Sequence, residues 1–266
     1  MTSGPAVDGP VPSSVGGERL LDLIRVQARL RAPGGCPWDR EQTHRTLARH
    51  LLEETHELLE AIDAGDAERI RDELGDVLLQ VTFHAQISKE AGGWDIDDVA
   101  EALVGKLIHR HPHVFGDTHV SGAEEVLVNW EKLKAEETGG RKGVEQDIPE
   151  TLPALARASK VQRRAAGWGF AFRSREEALA KLHEEVAELA EATDPDHREA
   201  ELGDVLFAAV AVGRSDGADA ETALRRTTRS FSERYERTAA LARERGMELD
   251  GIDEGDLRSL WDETKP

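Results

Sequence analysis

The sequence predicts an all-α protein built from two tandem helical domains, the product of an internal duplication. A four-carboxylate pattern occurs twice, as Glu54, Glu57, Glu73 and Asp76 and again as Glu185, Glu188, Glu201 and Asp204, each set reading EExxE followed by ELGD. The copies stay in step over a long stretch: the offset is 131 from Glu54 to Glu185, 128 from Glu73 to Glu201, 124 from Arg110 to Arg234, and 131 again from Trp130 to Trp261 and from Lys134 to Lys265. A period of this length with matched residues marks a duplicated domain with short deletions in its second copy. The segments between Gly, Pro and Asp-rich breaks place apolar residues at helical spacing, and no convincing strand alternation appears.

Taken in order, residues 1–17 are rich in Pro, Gly, Ser and Val with too little apolar content to fold alone, and are expected to be a disordered tail. Helices are expected over 19–31, 41–64, 67–91, 96–110 and 123–137, giving a first domain of 18–137. A linker is expected over 138–153, where glycines, Arg141-Lys142 and two prolines interrupt the pattern. The second domain, 154–266, is expected to hold helices over 155–164, 175–193, 197–214, 218–245 and 253–264. One deletion in it falls around Gly92, Gly93 and Trp94 of the first copy, which reads as a loop.

Composition narrows the function classes. The 266 residues carry a net charge of −19, so a nucleic-acid backbone is repelled over most of the surface and is not expected as a partner. One cysteine, Cys36, excludes an intramolecular disulfide and suits a reducing compartment. No secretory signal pattern opens the chain, and no apolar run reaches the roughly 20 residues of a membrane helix. A soluble cytoplasmic protein with no membrane partner is expected.

The carboxylate spacing carries the chemistry. On a wheel of about 100° per residue, Leu51, Leu52, Thr55, Leu58, Leu59 and Ile62 form a core stripe, with Glu54 at its edge and Glu57 further round on the same side. Glu73 and Asp76 open the apolar run from Val77 to Ile87. If the two helices pack face to face, four acids converge. Such a cluster repels itself unless a cation neutralises it, and magnesium, with manganese as the other choice, is the natural partner of all-oxygen ligands. An isolated ExxE is more often a solvated face, but two joined pairs, both repeated, argue otherwise. Lysine, arginine and tryptophan recur at fixed distances from the acids, 76 residues from Glu54 to Trp130 and from Glu185 to Trp261. A purely structural metal does not need them; a metal-bound polyphosphate does, with cations on its oxygens and an indole on its base.

These residues resemble the MazG nucleoside triphosphate pyrophosphohydrolases of the all-α NTP pyrophosphatase superfamily, over nearly all of the chain from Glu18 onward. The resemblance rests on Gly35-Cys36-Pro37-Trp38-Asp39 with Gln42-Thr43, Glu53-Glu54-Thr-His-Glu57, Glu73-Leu-Gly-Asp76, Arg110-His-Pro-His-Val-Phe115, the segment from Asp147-Ile-Pro149 to Leu152-Pro153-Ala154-Leu155, and Glu201-Leu-Gly-Asp204-Val-Leu-Phe207. It implies magnesium-dependent hydrolysis of NTPs or dNTPs to the monophosphate and pyrophosphate by a homodimer of tandem helical domains. By position it implies Glu185, Glu188, Glu201 and Asp204 as metal ligands, with Arg234, Trp261 and Lys265 contacting nucleotide. The first copy offers Glu54, Glu57, Glu73 and Asp76 with Lys106, Arg110, Trp130 and Lys134. This sequence departs from the family pattern at Ser230, where a lysine is usual, and at Thr228, where an asparagine is usual.

No Ser, Cys or Lys nucleophile with a matched base is apparent, so the expected nucleophile is water attacking the α-phosphorus, with Glu53 or Glu184 orienting it or accepting its proton. Three functions fit: a pyrophosphohydrolase of broad NTP and dNTP range, a relative narrowed to one noncanonical nucleotide, and a noncatalytic nucleotide sensor, against which the intact carboxylate sets argue. His109, His111 and His113 suggest zinc less well than helix capping, because Pro112 interrupts the helix. Trp38 either borders the nucleotide or anchors its loop, with packing the larger share, and Trp168 is its counterpart.

Overall fold

A computed structural model describes residues 16–122, 125–126, 129–130, 133, 143–146, 148–247 and 252–265. The described residues hold helices and no strand, and the chain divides into two compact units, Met1–Leu133 and Lys134–Pro266. Most of the expected tail lies outside the described residues. So does much of the helix expected over 123–137, although the backbone is helical at 125–126, 129–130 and 133.

In the first unit α1 (Glu18–Arg31) packs on α4 (Ala67–Glu90), and α3 (His44–Ala64) forms a hairpin with α4. Gly65 sits in the left-handed region with φ of 68° and closes α3 with its N–H on Ala61 O and Ile62 O, while Asp66 caps α4 by accepting from Glu68 N and Arg69 N. A two-residue connection of this kind leaves two helices antiparallel. Helix α5 (Ile96–Arg110) packs on α4 and on the short α6 (Pro112–Phe115).

Two short helices were not expected. Pro37–Glu41 forms α2, with Pro37 preset for the first helical turn. The chain then breaks at Gln42-Thr43, where Thr43 and Thr46 cap the start of α3 reciprocally. The helix expected over 41–64 therefore begins at His44, and Glu41 is the last residue of α2. Pro112 likewise starts α6 instead of merely ending α5, and His111, at the junction, bonds Leu107 O through Nδ1 at 2.6 Å. That contact fits the capping role of His111.

The second unit repeats the plan: α7 (Ala154–Gly167), the hairpin of α8 (Arg175–Glu191) and α9 (Pro195–Ser215), α10 (Ala220–Glu244) and α11 (Glu254–Glu263). Helix α9 packs on α8, α7 and α10, and α10 on α7 and α11. The caps Thr43 and Ser174, Asp66 and Asp194, and Asp95 and Asp219 are related by the offsets 131, 128 and 124. The second deletion is mostly not in the loop. Gly92 and Gly217 both have positive φ, and Gly93 N–H on Ser88 O matches Ala218 N–H on Gly213 O. The turn is retained; α9, at 21 residues, is three shorter than α4 at 24, and Trp94 alone is lost from the loop. Part of the expected linker is docked on the second unit, with Ile148 buried and the Arg164 guanidinium donating to the carbonyls of Val144 and Gln146.

The cores are thin and alanine-rich. Leu47, Ala61, Phe83 and Ala85 are buried in the first unit, and Ala178, Ala192, Val210, Ala242 and Leu260 among others in the second. On α3 the covered line runs Leu47, Leu51, Glu54, Leu58, Ala61, at alternating spacings of four and three. The sequence placed Glu54 at the edge of the stripe and Leu52 and Ile62 inside it; the structure places Glu54 on the covered line and leaves Leu52 and Ile62 exposed. Ala178, Leu182, Glu185, Leu189 and Ala192 trace the same line on α8.

The junction of α3 with α4 carries a titratable contact. His44 and His84 stack with their rings 2° from parallel and their Nδ1 atoms 2.7 Å apart, so one nitrogen donates and the other accepts. Burial, and then the charge on His44, hold the His84 pKa below 6.5. The unfolded chain takes up the proton at the ordinary value and the folded one resists it, so this contribution is complete above that value and is lost as pH falls through the depressed folded pKa. Melting temperature measured from about pH 7.5 down to about pH 5 is expected to fall more steeply for the parent than for His84→Leu. At the position of His44 the second unit has Arg175, paired to Asp216 at 2.6 Å, so the histidine pair is not repeated there.

Candidate functional site

The α3–α4 hairpin brings carboxylate oxygens of Glu54, Glu57 and Glu73 within 4.8 Å of one another, and the α8–α9 hairpin does the same for Glu185, Glu201 and Asp204. Three of the four expected acids converge in each unit. Asp76 and Glu188 stand outside these groups but not outside their fields. Burial raises the Glu54 pKa, and the charges of Asp76, Glu57 and Glu73 raise it further, against an opposing effect of His50. Burial and the charge of Glu185 raise Glu188, with Lys181 opposing. Both shifts follow from placing an acid in or beside the covered face of a helix next to other acids.

The sequence reading missed a basic residue one turn before each acid pair. His50 Nδ1 lies 3.0 Å from Glu53 Oε2. At offset 131, Lys181 Nζ lies 2.7 Å from Glu184 Oε1 and 2.8 Å from Glu185 Oε1, and these bonds raise the Lys181 pKa. His197 Nε2 is 3.0 Å from Glu201 Oε1. The repeat offset and the three- and four-residue spacing were the available signal. Glu53 and Glu184 are both exposed and both engaged by these bases.

An ion site is judged by its ligand atoms. Glu201 Oε2 is buried with no hydrogen-bond partner among the described residues, although a buried polar oxygen is costly to leave unsatisfied. A hard divalent cation among the three carboxylates of the second unit would satisfy it, and one among those of the first would remove the repulsion that adds to burial in raising Glu54. The residues fit such an ion in both units.

The cationic and aromatic candidates pair among themselves. Arg234 lies over Trp261 at 3.9 Å from the ring centroid and donates to its carbonyl, with Phe231 at 5.2 Å from the same ring. Arg110 lies over Trp130 at 5.3 Å, and His111 meets that indole edge-on at 5.1 Å. Lys106 and Ser230 are exposed. Lys265 pairs with Asp262 at 2.9 Å, and Lys134 lies outside the described residues. Among the described residues no group of three potential ligands includes a histidine.

Two helical units, each presenting a carboxylate triad on a helical hairpin, define a tandem all-α acidic-site protein. A profile of the MazG nucleotide pyrophosphohydrolase domain matches residues 42–115 and 173–239. The chain is 42% identical over 245 residues to the Thermotoga maritima nucleoside triphosphate pyrophosphohydrolase/pyrophosphatase MazG, covering 92% of this chain and 94% of that one. It is 40% identical over 251 residues to the Escherichia coli nucleoside triphosphate pyrophosphohydrolase, covering 91% and 95%. A Mycobacterium tuberculosis protein of the same name is 47% identical over 156 residues, 58% of this chain and 47% of its own length. The chain belongs to the MazG family. Among the described residues no helix is long and apolar enough to cross a membrane.

Proposed function

We propose that the protein hydrolyses nucleoside triphosphates, ribo or deoxyribo, to the monophosphate and pyrophosphate, with magnesium or manganese held by Glu54, Glu57 and Glu73 in the first unit and by Glu185, Glu201 and Asp204 in the second. The observation that carries this reading is the convergence of three carboxylates in each repeat, and the names of the similar proteins support it. The ion supplies charge neutralisation for the triphosphate and raises the acidity of water. Water attacks the α-phosphorus, a new P–O bond forms, and the bond from that phosphorus to the oxygen bridging to the β-phosphorus breaks, releasing pyrophosphate. Glu53, oriented by His50, accepts the proton that the attacking water loses. Lys106 and Arg110 face the phosphates, where charge-assisted bonds are strongest. Asp76 and Glu188 add negative charge that favours the bound ion.

A chelator is expected to abolish turnover, and added magnesium or manganese to restore it. Product analysis is expected to give NMP and pyrophosphate in equal amounts; NDP and phosphate would place the attack elsewhere. A screen of the eight common NTPs and dNTPs, with both products quantified, fixes the breadth of the substrate range.

We further propose a homodimer. Leu74 and Leu78 on α4, and Leu202 and Leu206 at offset 128 on α9, remain 39 to 50% exposed, a repeated apolar face that a thin alanine core does not cover. Light scattering at micromolar concentration is expected to give twice 29.2 kDa, and Leu78→Glu with Leu206→Glu is expected to give the monomer.

A further inference from the structure

We infer that Trp38, and not Trp130, stacks on the base of a nucleotide bound in the first unit; this rests on the function proposed above. The two indoles differ in what already occupies them. Trp130 has the Arg110 guanidinium over its ring and His111 against it. Trp38 is 51% exposed and, among the described residues, its ring contact is a T-shaped one with His50 at 5.9 Å. That same imidazole bonds Glu53 at 3.0 Å and acts electrostatically on Glu54. Trp38 therefore borders the carboxylate group through one shared neighbour.

Its backbone is held far more firmly than its ring. Arg31, with its side chain 7% exposed, donates to the carbonyls of Asp39 and Gln42 and pairs with Glu90 at 2.8 Å. Gln42 Nε2 donates to Trp38 O at 2.9 Å, and Thr46 Oγ1 holds the other end of that amide at 2.8 Å. The Cys36 N–H bonds Leu30 O, and a Cβ on Gly35 would sit 2.1 Å from the same oxygen, so the approach demands glycine. This network fixes where the indole stands without covering it. A preorganised aromatic face costs little entropy when a flat ligand lands on it. The second repeat also leaves aromatics open before its acid helix, with Phe170 84% and Phe172 43% exposed.

The test uses the full chain carrying Asp204→Ala, which disables the second carboxylate group. Calorimetric affinity is compared for two probes in the presence of magnesium: α,β-methylene-ATP, and inorganic tripolyphosphate, which has no base. Trp38→Ala is expected to weaken the nucleotide about tenfold to a hundredfold, the range of one lost base stack, and to leave tripolyphosphate unchanged. Trp38→Phe is expected to keep most of the nucleotide affinity, and Trp38→Leu, which fills the space without a π face, to behave like alanine should the smaller side chain unfold the loop. Trp130→Ala is expected to change both probes alike or neither. Equal weakening of both probes by Trp38→Ala, or selective loss of nucleotide in Trp130→Ala, overturns the assignment. If the Asp204→Ala protein with Trp38 intact binds neither probe, the first unit has no nucleotide site and both readings fall.

Discussion

Turnover is expected to fall at least about tenfold in Glu57→Ala and to persist largely intact in Asp204→Ala; removing even an outer partner of a metal ligand costs about 10- to 100-fold, and a ligand itself costs no less. Both side chains are exposed members of their carboxylate groups, so neither change opens a cavity in the core. The asymmetry comes from what each group already holds. In the second unit Lys181 sits on Glu185 at 2.8 Å and His197 bonds Glu201 at 3.0 Å, so a resident ammonium answers part of the negative charge, and an incoming ion must compete with it. In the first unit the lysine is replaced by His50, whose bond is to Glu53, and the burial and repulsion that raise Glu54 are only partly opposed. The first group has more to gain from an ion. Steady-state rates of the two variants, with melting curves to exclude unfolding, decide the matter. If Glu57→Ala turns over like the parent while Asp204→Ala is inactive, the second unit does the chemistry and the lysine there serves the substrate.

Much of this arrangement was legible in the chain because a duplication writes its own alignment. The offsets read from the acids and from the arginines Arg110 and Arg234 are the offsets of the helix caps, since Thr43, Asp66 and Asp95 each reappear as a capping Ser174, Asp194 and Asp219. What escaped was local or depended on coverage. The start of α3 at His44 was read three residues early because the capping box uses Thr46 in place of the usual Glu. The line through Glu54 was misplaced because a broad apolar stripe does not say which of its edges meets the neighbouring helix. Lys181 and His50 went unnoticed because a base three or four residues before an acid is commonplace on a solvated helix. Only the shared offset, and the position of Glu185 on the covered face, separate these two from that background.

Lys106→Ser is expected to weaken triphosphate binding in the first unit by about tenfold to a hundredfold, because one charge-assisted contact is worth roughly 1.5–3 kcal/mol. Ser230→Lys is expected to strengthen binding in the second unit by a similar factor. Both positions are exposed, and both precede by four residues an arginine packed over a tryptophan, Arg110 on Trp130 and Arg234 on Trp261. A lysine introduced at 230 therefore enters an equivalent setting on its helix and displaces nothing buried. Screening gives the effect a second signature: if the lysine acts as a charge, the gap between each variant and its parent narrows as ionic strength rises, since an exposed pair is screened over about 8 Å at physiological salt. Affinities for tripolyphosphate, measured in Asp204→Ala for the first position and in Glu57→Ala for the second, isolate each unit from the other. A Ser230→Lys protein that binds no tighter at any salt concentration would mean that the chain already meets those phosphates with other cations, and that the departure from the family pattern at residue 230 does not set the balance between the two units.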